Sequence, residues 1–136
     1  MTRRRSRDER GTATAFVVGF AVVLLACAGL VIDGGSALNA RMTLADDVEQ
    51  AARAGAQEID ILTLRGSNLV QLDPRAAEAR AQGYLGSLGY TSYRATALGD
   101  TVTVSAQGTV PTKLLNLIGI PPFTINATAT AQAVTQ

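Results

Sequence analysis

From Gly11 to Ile32 the chain carries no charged residue, and this run limits the possible folds more than any other feature. A helix rises about 1.5 Å per residue, so the run would span roughly 33 Å, close to the ~30 Å hydrocarbon thickness of a bilayer. Apart from Thr12 and Thr14 at its entry, it has no polar side to turn toward water. A chain of 136 residues is too small to surround such a helix with core on every side. A cleaved signal peptide would stop after about 7–15 apolar residues and meet a small-residue cut site. Here hydrophobicity resumes after Ala26-Cys27-Ala28-Gly29 with Leu30, Val31 and Ile32. The run therefore predicts a retained single-pass transmembrane helix over residues 11–32.

Charge placement orients that helix. Formal net charge is only +1, but residues 1–10 hold Arg3, Arg4, Arg5, Arg7 and Arg10 against Asp8 and Glu9. From Asp33 onward acidic residues outnumber basic ones. The positive-inside rule then places the basic head, residues 1–10, in the cytoplasm and the rest outside the cell membrane. Asp33 marks the expected water boundary, because a carboxylate is costly deeper in lipid. Lipid is one partner. A nucleic-acid partner is not expected, since positive charge does not line the body.

The chain has one cysteine, Cys27, and no histidine. No intramolecular disulfide is possible, and Cys/His zinc sites and histidine-based catalysis are excluded. Leu24-Leu25-Ala26-Cys27 resembles a lipobox, so the alternative reading is a lipoprotein anchored through Cys27 with a small binding domain. Mature lipoproteins turn polar after the lipidated cysteine, whereas Ala28 to Ile32 stays apolar, which favours the anchor.

Beyond the span, Asp33-Gly34-Gly35-Ser36 predicts a kink or short break, with Ser36 or Asp33 capping the next helical segment. Leu38, Met42, Ala45, Val48, Ala52, Gly55, Ile59 and Leu62 then recur every three or four residues, which predicts an amphipathic helix over 33–64. Its small residues, Ala45, Val48, Ala52, Gly55 and Ala56, are candidates for close helix packing. They would pack on the body's own sheet, on another helix or on another copy. Asp46, Asp47 and Glu49 lack the loop a cation site needs and read as a solvated face.

Residues 65–136 read as an extracytoplasmic α+β body. Arg65 to Asn68 reads as a loop, and Asp73-Pro74 starts a helix ending near Gly86 to Gly89. Its apolar side is read as Ala76, Ala77, Arg80, Tyr84, Leu85 and Leu88. From Tyr90 the period changes to two, predicting strands over Ser92 to Leu98 and Thr101 to Val110 about a Gly99-Asp100 turn. A short apolar helix is expected in Lys113 to Gly119, stopped by Ile120-Pro121-Pro122. The tail from Phe123 to Ala133 alternates cleanly, which predicts a third strand. The fold class is thus α+β, with a single transmembrane helix running into a long amphipathic helix packed on a small antiparallel sheet.

These residues resemble a known family. Arg10-Gly11 opening an apolar helix, Asp33-Gly34-Gly35 at its exit, then Ala45-Asp46-Asp47 and Ala51-Ala52-Arg53-Ala54-Gly55-Ala56, are similar to the N-terminal region of TadE/TadG-like proteins of the tight-adherence, or Flp-type, pilus system. The resemblance covers roughly residues 8–60. It implies a pilin-like or pseudopilin-like envelope protein whose partners are other pilus or secretion-system subunits. It also makes Gly11 a candidate processing position. Prepilin-peptidase substrates carry glutamate at the fifth residue after the cut, and Phe16 stands there, which fits a retained anchor. The expected function is structural packing without catalysis, with no cofactor, metal or small-molecule substrate.

Overall fold

The uncharged run and the small-residue stripe lie on one helix, α1 (Asp8–Gly55). The computed structural model describes residues 8–134. The basic head read over 1–10 lies outside the described residues, apart from the backbone of 8–10 at the start of α1. After α1 come α2 (Ile61–Ser67), α3 (Pro74–Ser87), β1 (Ser92–Leu98) and β2 (Thr101–Val110). A 3-10 turn (Leu115–Ile118) and β3 (Phe123–Gln132) complete the order. The class is α+β, with an apolar-led helix and a three-stranded antiparallel sheet ordered β1-β2-β3.

The break expected at Asp33-Gly34-Gly35-Ser36 is absent, because α1 continues through it. The Ser36 hydroxyl donates back to the Ile32 carbonyl at 3.0 Å, which joins it to the preceding turn instead of capping a new helix. The helix read over 33–64 ends at Gly55. Ile59 then bridges to Leu72, and Asp60 caps α2. The Thr63 hydroxyl (2.7 Å), with the backbone N–H groups of Thr63 and Leu62, holds the Asp60 carboxyl below its ordinary range. Arg65 to Ser67, read as loop, belong to α2, and Asn68 closes that helix in the left-handed region at φ 56°.

The chain forms two compact units. One holds α1 as far as Ser36 together with Pro111–Pro122. The other holds Ala37–Val110 and the chain from Phe123 onward. In the second unit, Leu44, Val48, Ala51 and Ala52 of α1 join Ala77, Ala81 and Leu85 of α3 in one core. Val102, Val104 and Ala106 of β2 and Ala95 and Ala97 of β1 complete it. Of the apolar side read for α3, Arg80 and Leu88 are exposed, and Ala81 takes the buried place between Ala77 and Leu85. Alternation along β3 leaves its inward alanines half-buried, as suits an edge strand.

Close approach dominates this core. A Cβ on Gly55 would sit 2.8 Å from the Ala77 carbonyl oxygen and 3.2 Å from Val102. Polar ties flank the contact. Asp73 caps α3 with Pro74 behind it, and the Glu78 carboxylate accepts from the Ala97 N–H at 3.0 Å. The Tyr84 hydroxyl donates to Gln50 at 2.8 Å, and the Tyr90 hydroxyl donates to Asp47 at 2.6 Å. Burial, reinforced by the neighbouring Asp47, pushes the Tyr90 phenol up to about 12.

Two outcomes test this packing in the detergent-solubilised chain. Gly55→Ala should destabilise the second unit by about 1–3 kcal/mol through overpacking, whereas Gly83→Ala, with open space on α3, should stabilise it by roughly 0.5–1 kcal/mol. Urea unfolding followed by circular dichroism reads both. Because the folded Tyr90 keeps its proton longer than the unfolded one, its share of stability is intact below about pH 10. That share is lost as pH rises toward about 12. Tyr90→Phe should flatten that part of the stability–pH curve.

Candidate functional site

The chemistry-bearing contact of the first unit is at the Asp33 end of the uncharged run. Ala26, Gly29 and Asp33, spaced three and four apart, share one face of α1. Gly29 is buried there, and a Cβ on it would meet Leu115 at 3.0 Å and Leu114 at 3.3 Å. Leu115 is itself buried, so the glycine makes the gap that the loop side chain fills.

Asp33 follows one turn later and is only 2% exposed. Its Oδ2 accepts from the Leu115 N–H at 2.7 Å and from the Leu114 N–H at 2.9 Å. These are charge-assisted bonds to donors that open the 3-10 turn. Its Oδ1 is buried with no hydrogen-bond partner among the described residues. Asp33, expected to mark the water boundary, is thus screened from solvent by the folded chain. The 111–122 loop covers it and replaces water with backbone donors.

The loop is ordered from within. The Thr112 hydroxyl donates to the Ile120 carbonyl at 2.9 Å, and the Ile120 N–H returns to Leu115 at 3.1 Å. The turn is stopped by Gly119, whose φ of 82° is costly for other residues, before the Ile120-Pro121-Pro122 stop read from the sequence.

Gly11 and Cys27 are both exposed on α1, and Cys27 is a free thiol. Val48, Ala52, Gly55 and Ala56 are buried in the second unit, and Ala45 is exposed. Ala45 and Ala56 line an open groove of about 860 Å³ between α1 and β3, with Ala129 and Ala131 across from them. The Glu49–Arg53 ion pair borders it. Among the described residues, no group of three acidic, cysteine or histidine side chains could hold a metal ion.

Sequence reasoning missed the Asp33 pairing. Its partners lie 81 and 82 positions away and contribute backbone N–H groups, which no residue pattern advertises. The one local signal is a run of leucines between prolines, which shows an apolar loop without naming its contact.

One described helix is long and apolar enough to cross a membrane, and only 6% of its most apolar stretch is buried. Such a helix fits a membrane protein. Residues 11–58 match the model of a family described as putative Flp pilus-assembly TadE/G-like. The match supports a component of pilus assembly, and its span includes Gly29, Asp33 and the small-residue stripe. No curated protein and no solved structure matches the chain.

Hydrogen exchange of the full chain tests the pin. Asp33→Ala should speed exchange at the Leu114 and Leu115 amides at least about tenfold, since two bonds to a charged group are lost. Asp33→Asn, which keeps an accepting oxygen, should fall between. Unchanged exchange in Asp33→Ala would show that the carboxylate does not order the loop.

Proposed function

We propose that this chain is a single-pass membrane subunit of a Tad/Flp-type pilus assembly or secretion system, pseudopilin-like or accessory, that acts by packing and not by catalysis. The observation that carries the reading is the family match over residues 11–58, which coincides with the uncharged helix and the small-residue stripe. The helix over 11–32 holds the subunit in the cell membrane with its basic head in the cytoplasm, and the body lies outside. Side chains such as Phe16, Phe20, Leu24 and Leu25, all exposed, meet lipid or the helices of neighbouring subunits.

Contact with neighbouring pilus subunits runs through the groove beside β3. Ala45, exposed at its border, allows the close approach of another backbone. Ala56 lines the groove with it, and buried Val48, Ala52 and Gly55 pack within the body.

Cells that make the pilus supply the test. Ala45→Arg should leave the body folded and reduce assembled pili at least about tenfold, while Ala79→Arg, exposed on α3, should assemble normally. Normal assembly of Ala45→Arg would remove the groove from the contact. Protease added to intact spheroplasts should digest the body, and a protected body would reverse the orientation. Mass spectrometry of the mature N-terminus separates the lipoprotein reading, because an acylated Cys27 would replace the anchor proposed here.

A further inference from the structure

Resting on the membrane-anchor reading above, we propose that the Pro111–Pro122 loop is a second, interfacial membrane contact, which Asp33 docks against the end of the span so that Leu117 and Ile118 enter the outer-leaflet interface.

The argument begins with depth along α1. Leu115 packs on Gly29, which lies three residues inside the end of the uncharged run. At about 1.5 Å per residue that is roughly 4.5 Å inward of Ile32. Whatever medium surrounds Leu30, Val31 and Ile32 on the neighbouring faces of the helix therefore also meets the loop docked on this one. Those three side chains are exposed, and in the anchor reading their medium is the boundary between acyl chains and headgroups.

The loop's composition fits that medium. It has no acidic residue, and its apolar side chains exceed those it buries. Leu115 faces α1, but Leu117 is 71% exposed and Ile118 is 46% exposed. Lys113, the only lysine in the chain, is exposed beside them as a flexible cation that can reach lipid phosphate.

The loop's backbone fits as well. Where water is scarce, main-chain donors must be satisfied inside the protein. The Leu114 and Leu115 N–H groups are taken by Asp33, and those of Leu117, Gly119 and Ile120 by loop carbonyls. The two donors that open its turn are met by a buried carboxylate and not left to water. Asp33 is itself shielded from lipid by the segment it holds, which explains how a carboxylate can stand directly after such an apolar run.

The chain contains no tryptophan, so each introduced one is the only indole emitter. The full-length protein is reconstituted in vesicles of phosphatidylcholine and phosphatidylglycerol, with acyl chains brominated either near the headgroup or deep in the bilayer. Leu117→Trp should be quenched at least about twofold by the shallow label and should emit to the blue of Leu98→Trp, a solvent control on the β1–β2 hairpin. Ile118→Trp should repeat the result and guards against a local effect of one substitution. Phe20→Trp, in the middle of the span, should be quenched by the deep label. If Phe20→Trp is quenched while Leu117→Trp and Ile118→Trp behave like Leu98→Trp, the interfacial loop is wrong and the anchor stands. If Phe20→Trp escapes both labels, the anchor fails and the loop proposal fails with it.

Discussion

An apolar run asks nothing of hydrogen-bond partners, but the first charge that follows it must find some. In this chain that charge is Asp33, and the rest of the first unit is arranged around it. Desolvating a carboxylate costs several kcal/mol unless donors replace the lost water. The two N–H groups at the head of the 3-10 turn provide them, and the same pairing fixes where the 111–122 loop can lie. Gly29 gives the loop its seat, since any side chain there would crowd Leu115. Charge neutralisation and steric fit thus act on one short stretch of α1.

The second unit is held differently. Its core is mostly alanine, with a few leucines and valines, so many individual contacts are small and the fold depends on how closely the elements approach. Gly55 brings the end of α1 against the α3 backbone, and the hydroxyls of Tyr84 on α3 and Tyr90 just beyond it donate to Gln50 and Asp47 of α1. Small residues on the helix read first as packing on the body's own sheet and second as a docking face for another helix or another copy. Val48, Ala52 and Gly55 turn inward, and Ala45 remains at the surface beside the groove.

Much of this was legible in the sequence because it depends on local pattern. Period-two alternation located the three strands, with β1 and β2 at the expected limits, and Asp73-Pro74 marked the start of α3. The resemblance of the first half to TadE/TadG-like proteins was also carried by local motifs, and the family match covers nearly the same stretch. The choices made by distant partners could not be read. The stripe was read as continuing through Ile59 to Leu62, but the capping bonds of Asp60 with Leu62 and Thr63 begin a new helix. Two glycines looked like a break, but α1 runs through them. Asp33 looked like a marker of the water boundary, and only the folded chain brings two amides to it.

The path of the polypeptide adds a last consequence. It passes from one unit to the other at Ser36–Ala37, at Val110–Pro111 and at Pro122–Phe123. The base of the excursion is clamped, because Val110 and Phe123 are register partners at the end of the β2–β3 ladder. A nick in α1 between Ser36 and Ala37 would therefore not set the folded remainder adrift. The larger fragment would still carry the Leu114 and Leu115 donors, and the smaller one the carboxylate that grips them.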